Sequence, residues 1–106
     1  MRAGDLRHRI TIQEAAEPAR DTYGAEIDVW ADVATVWAAV EPLQGREFFD
    51  AQAMNAETTT RIRIRYRDGI VPEMRVVWGS HMYDIQSVTE VESRRRELHL
   101  MCRELL

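Results

Sequence analysis

The sequence predicts a mainly β fold: a small β-barrel or sandwich of about six antiparallel strands, with one short helix and a long loop in the N-terminal half. Three features predict it. Apolar and polar residues alternate with period two in several segments, turn residues punctuate those segments, and only one stretch is built from helix formers. At 106 residues the chain has room for one domain, 1–106, and is short for two.

The clearest strand lies in 58–67. Thr60, Ile62, Ile64 and Tyr66 fall on one face, and Arg61, Arg63, Arg65 and Arg67 on the other, the pattern of a half-buried strand. It ends at the turn dipeptide Asp68-Gly69, and Pro72 prevents the connection from continuing as a central strand. A first strand is expected near 6–13, where Leu6, His8, Ile10 and Ile12 alternate with polar residues. Residues 33–41 are rich in Val, Trp and Ala, and Pro42 stops them. A short strand over 74–78 is closed by Gly79-Ser80. Residues 82–91 carry Tyr83, Ile85, Val88 and Val91, with a phase slip that implies a bulge. Over 97–103, Leu98, Leu100 and Cys102 share a face. Trp30, Trp37 and Trp78 are expected in the core or at its rim.

Two segments break the pattern. Residues 14–28 show no sustained period and contain Pro18 and Gly24, so they read as a long loop, structureless and of the kind more often functional or mobile than idle. Residues 46–56 are mostly helix formers, and Phe49, Ala53 and Ala56 form one stripe. So short a helix must lean its Phe side on the barrel or on a neighbouring subunit. If only one of Phe48 and Phe49 faces the barrel, the other is left for a partner.

Composition narrows the function. Hydrophobic residues at 45% and charged residues at 30% describe a globular, soluble chain, and no apolar run reaches membrane-spanning length. The N-terminus lacks the apolar stretch of a secretory signal. The single cysteine, Cys102, has no internal partner and fits a reducing compartment. A net charge of −4 argues against coating nucleic acid by charge alone. All 14 basic residues are Arg; a GC-rich genome is the first explanation, and Arg also forks onto carboxylates as Lys does not.

The inventory does not support catalysis. His8, His81 and His99 are scattered without metal-ligand spacing, and the five glycines are isolated turn residues. His99 and Cys102, three apart on a strand, point to opposite faces and cannot act as a nucleophile–base pair. No catalytic, metal or cofactor residue is therefore expected. The arginine stripe has three readings: a solvated face with cross-strand acids, a protein–protein surface, or a nucleic-acid contact. Guanidiniums about 6.6 Å apart along a strand repel by only about 0.6 kcal/mol in bulk water, so the stripe is tolerable. Asp84, Gln86 and Glu90 on a later strand are the expected cross-strand acids and amide. Arg94-Arg95-Arg96 reads as a charged turn.

The order of the parts is also informative. Arg2-Ala-Gly-Asp-Leu-Arg-His-Arg-Ile-Thr-Ile-Gln opens the chain, followed by Asp21-Thr-Tyr-Gly and by Trp30-Ala-Asp-Val-Ala-Thr-Val-Trp-Ala-Ala-Val-Glu-Pro-Leu. Gly45-Arg-Glu-Phe-Phe-Asp-Ala-Gln then leads to Thr60-Arg-Ile-Arg-Ile-Arg-Tyr-Arg and Tyr83-Asp-Ile-Gln-Ser-Val. From residue 2 onward this series resembles the phage head–tail joining family, the head-closure or stopper proteins of tailed phages, with relatives in prophages and gene transfer agents. The resemblance implies a small β-barrel with a helix and long mobile loops, no catalytic residues and no cofactor. It implies a ring, twelvefold in the family, beneath the portal or adaptor protein and above a tail terminator or tail protein, with packaged DNA passing through. The location implied is the virion neck, after synthesis in the bacterial host cytoplasm. The interface candidates are Arg61, Arg63, Arg65, Arg67, Phe48 and Phe49, and the candidate channel or interface loop is Asp21, Thr22, Tyr23 and Gly24. A nucleic-acid-binding small barrel, with Tyr66 stacking beside the arginines, is the alternative.

Overall fold

A computed structural model of the protein describes residues 6–16, 19–20, 22–24, 26–27, 29–54, 57–91 and 96–105. Strands β1 (His8–Ala15), β2 (Ala19–Arg20), β3 (Glu26–Ile27) and β4 (Trp30–Pro42) are followed by helix α1 (Gly45–Met54). Then come β5 (Thr60–Arg65), β6 (Arg75–Trp78), β7 (His81–Val91) and β8 (Glu97–Leu105). Six of these strands close into an antiparallel barrel in the order β1-β4-β5-β8-β7-β6, while β2 and β3 pair separately. Closure decides between the two architectures left open by the alternation: this is a barrel.

The inward residues are those the period-two pattern places together. Ile10 and Ile12 of β1, Ile62 and Ile64 of β5, Val76 of β6 and Leu100 and Cys102 of β8 form the buried centre. Ile70 and Met74, on the connection around Pro72, close over one side. Strand β7 carries the bulge its phase slip implies, between Ile85 and Ser87 against β8. A second irregularity lies between Ile12 and Gln13 of β1. That strand pairs with both β4 and β6, and bulges supply the bend that such closure requires. At this seam Arg75 Nε donates to Gln13 Oε1 at 2.8 Å, and Gln13 Nε2 donates to Asp32 Oδ1 at 2.8 Å. One side-chain amide thus links three adjacent strands.

Several expectations need correction. The described residues of segment 14–28 are not structureless. β1 runs on to Ala15, Ala16 N donates to Val29 O at 2.7 Å, and β2 pairs with β3. A hairpin ladder satisfies its own backbone groups and can therefore extend past the core without an apolar pattern. β4 likewise begins at Trp30, earlier than expected, as the partner of Ala15.

Trp37 is not a core residue: it is 53% exposed. Ala38 is buried and Val36 and Val40 pack on the core, so alternation turns Trp37 outward, where the Arg9 guanidinium lies 5.1 Å from its ring centroid. Trp30 and Trp78 are half-buried, at the rim.

The helix stripe is also different. Phe49 and Ala53 face solvent, while Phe48, Ala51 and Gln52 are the half-buried positions. No residue of α1 is buried. Both ends of the helix are tied to the same end of the sheet, where Pro42 pairs with Thr60 and Leu43 N donates to Thr59 O. That tether, with Gln52 Nε2 donating to Thr58 O, sets which side faces in. Ala56 lies outside the described residues.

Candidate functional site

The arginines of β5 do not behave as one stripe. Register places Glu41 of β4 opposite Arg61, and His99 of β8 opposite Arg63. Arg61 Nε donates to Glu41 Oε1 at 3.1 Å and its Nη1 to Glu47 Oε1 at 3.2 Å. Arg63 donates to both Glu41 oxygens, from Nε at 2.9 Å and Nη2 at 3.3 Å, and from Nη1 to Glu97 Oε1 at 3.4 Å. The same Glu97 oxygen lies 2.8 Å from His99 Nε2.

Electrostatics follow from this packing. Burial alone would raise the carboxyl of Glu41, but hydrogen bonds from Arg61 and Arg63 outweigh it and hold the group below its ordinary range. Glu97 is lowered likewise: the His99 and Arg63 interactions overcome burial. Burial works against the charges on Arg61 and Arg63, yet their carboxylate partners leave both guanidiniums binding their protons more firmly than usual.

The expected acids are therefore the wrong ones. β8 separates β5 from β7, so Asp84, Gln86 and Glu90 are not cross-strand neighbours of the stripe. Asp84 instead accepts from Arg103 Nη2 at 2.6 Å. Alternation along β7 identifies a face but not which strand lies beside it.

Arg65 and Arg67 differ from the first two. Both are exposed, and neither forms an ion pair among the described residues. Glu97 is the register partner of Arg65, but its carboxylate leans to Arg63 and His99. With Arg9, Trp37, Leu6 and Tyr66, these two arginines line an open groove of about 320 Å³. The Tyr66 hydroxyl donates to Asp68 Oδ1 at 2.5 Å. The sequence reading missed Arg9 and Trp37 in this cluster. Outward alternation of Trp37 between Val36 and Ala38 was the available signal.

Phe48 and Phe49 split as the pair allows: Phe48 is half-buried and Phe49 is 72% exposed. Thr22, Tyr23 and Gly24 are exposed at the tip between β2 and β3, with Gly24 at φ 81°, a left-handed turn position that suits glycine. Asp21, Arg94 and Arg95 lie outside the described residues.

At one barrel mouth, the His8 and Trp78 rings are 4.5 Å apart, and Trp78 stacks on His81 at 5.3 Å. His81 Nδ1 lies 2.8 Å from Glu104 Oε1. Tyr83 is buried there, its hydroxyl pushed up by burial and by the charge of Glu104. Cys102 is buried in the core, where burial raises its thiol well above the ordinary value and Sγ–H points to Leu100 O at 3.4 Å. Such a thiol is a packing group and a poor nucleophile. Among the described residues, no three His, Cys, Asp or Glu gather as a metal-holding group.

With the barrel, its charged wall and its exposed helix described, comparison with known proteins places the chain in a family. Residues 1–105 match the family model of the phage head completion protein. The chain belongs to that family. Its membership gives this head completion family protein a structural role in a phage-type virion. A protein of Shigella flexneri 2a, known from its solution structure, is 33% identical, with a TM-score of 0.74 over 98% of this chain and 96% of that one. A chain in the virion of a native gene transfer agent particle is 21% identical, with a TM-score of 0.60 over 94% and 96%. The latter likeness is one of fold. No curated protein matches the chain.

Proposed function

We propose that this head completion family protein is a neck component of a tailed particle. It joins as a ring, twelvefold as the family resemblance implies, beneath the portal or adaptor, helps retain packaged DNA and presents the docking surface for the tail. The observation that carries this reading is the match to the head completion family over nearly the whole chain. The surface is consistent with it: the barrel wall holds its charges in internal Arg–Glu pairs, while Phe49 and Met54 of the helix and a separate arginine groove stay open. A polyanion-binding track is disfavoured, because Glu41, Glu47 and Glu97 occupy the first half of the arginine row and would repel phosphates.

Deleting the gene from the genome that carries it, and imaging the particles by electron microscopy, tests the reading. Expected are free tails beside heads that package DNA and then lose it. Intact, tailed, DNA-filled particles would overturn it. Fluorescence-anisotropy titration with single-stranded DNA at low salt separates the nucleic-acid alternative, for which binding at tens of micromolar or tighter is required.

A further inference from the structure

The two ends of β5 carry surfaces that match each other. At its start stands α1, whose outer side presents Phe49 and Met54, 72% and 91% exposed, with Asp50 and Ala53 exposed beside them. The i, i+4 spacing aligns Phe49 with Ala53 and Asp50 with Met54. Phe49 and Met54 thus stand at the two margins of an exposed arc, with Ala53 and Asp50 between them, on a ten-residue helix that buries none of its own residues. The last helical turn holds no basic residue, so the negative end of its dipole is uncompensated from within the helix.

At the other end of β5 lies the groove, with Trp37, Tyr66 and Leu6 as apolar walls and Arg9, Arg65 and Arg67 as cations. Its charge and shape complement the helix: apolar walls for Phe49 and Met54, guanidiniums for the Asp50 carboxylate and the helix C-terminus. Arg46, the basic residue of α1, has a counterpart in Asp68 at the groove's edge, beside the Tyr66 hydroxyl.

We infer that α1 of one copy docks in the arginine–tryptophan groove of the next copy. The inference rests on the ring reading above and names its contact. The helix is tethered at the Pro42–Thr60 pair, and six residues of strand separate Thr60 from Tyr66, about 20 Å. It therefore does not fill its own groove. A contact between two different patches on identical subunits is heterologous, and such contacts close into rings when the rotation allows. A nucleic acid fits the groove less well. Arg9 already covers one face of Trp37, and the acidic pairs further along β5 end the positive surface within a few residues.

The test uses the full chain in the genome that carries it, with Asp50→Arg and Arg65→Glu made singly and together. Both positions are exposed, and circular dichroism with urea unfolding of the purified variants confirms that they fold. Each single variant is expected to lower the yield of tailed, DNA-filled particles by about tenfold or more, and the double variant to restore most of it. Single variants at wild-type yield, or a double variant no better than the worse single, overturn the contact. Either result leaves the neck reading intact if the gene deletion still empties the heads, so the two failures are distinguishable. Independently, Met54→Cys combined with Arg67→Cys is expected to give a ladder of disulfide-linked multimers on oxidation of particles, the native Cys102 being buried. Monomer alone after oxidation overturns the contact. DNA binding that Arg65→Glu abolishes assigns the groove to nucleic acid and also overturns it.

Discussion

Arg63 forks onto Glu41 from a diagonal position: the two are not register partners, since Arg63 faces Ala39 and Glu41 faces Arg61, yet Arg63 reaches both carboxylate oxygens. The small side chain of Ala39 leaves room for this reach. Diagonal neighbours on one sheet face are within range of long side chains, and a two-point fork is stronger and more directional than a single bond. Glu41 thus becomes the hub of the barrel's outer wall, bridging two arginines with one carboxylate while Glu47 and Glu97 supply further negative charge. Arg65, two residues further on, is left to solvent.

Removing the hub should cost more than removing an arginine at the open end. Glu41→Gln takes the shared carboxylate from two partly buried guanidiniums, leaving Arg61 to Glu47 and Arg63 to Glu97, and is expected to lower stability by about 1–2 kcal/mol. Arg65→Gln should fall within about 0.5 kcal/mol of the parent. Urea midpoints of the two variants compare them directly, and equal midpoints would show that the network contributes nothing.

The same pairs set an acid limit. Glu41 and Glu97 titrate lower in the folded state than their ordinary 4.5. The unfolded chain therefore takes up protons first as pH falls. Their contribution is complete above that ordinary value and is lost as pH drops through the folded-state values below it. Stability measured between about pH 7 and pH 3 should decline at the acid end. The Glu41→Gln, Glu97→Gln double variant should show a flatter decline over the same range.

Charge reversal along the row should separate two roles. Arg63→Glu brings a third carboxylate against Glu41 and Glu97 and is expected to destabilise the isolated subunit by about 3 kcal/mol or more. Arg65→Glu, at an exposed position opposite Glu97, should cost at most about 1 kcal/mol and act mainly on assembly. Thermal melts paired with particle counts make the comparison. Equal melting temperatures for the two variants would argue against the division.

Cys102 should resist alkylation in the native protein at mildly alkaline pH and react once denaturant is added, because burial disfavours the thiolate. Rapid native labelling, read by mass spectrometry, would mean that the barrel opens readily. Beside it in the core, Ile62→Ala is expected to cost about 2–5 kcal/mol.

Strands with one wet face were legible in the residues themselves. Thr60, Ile62 and Ile64 against Arg61, Arg63 and Arg65, and Leu98, Leu100 and Cys102 on β8, declare their inward faces because the pleat has period two and the core is apolar on one side only. The β7 bulge was legible for the same reason, as a slip in that period. Trp37 was misplaced because residue type outweighed the alternation of Val36, Ala38 and Val40. The β2–β3 hairpin left no periodic trace, since strands of two residues are too short to show a period of two.

By itself, then, the sequence determined the strand faces, the turns, the presence of one short helix and, through the order of its motifs, the family. All of these depend on local spacing or on likeness along the chain. Which strands lie side by side was decided only by the tertiary structure. Closure put β8 between β5 and β7, gave Arg61 and Arg63 to Glu41 and Glu97, and sent Asp84 to Arg103. It also gathered Arg9, Trp37 and Arg67 from three separate segments around one groove. Neighbours across a sheet are fixed by how the chain closes on itself, and a period of two carries no information about that.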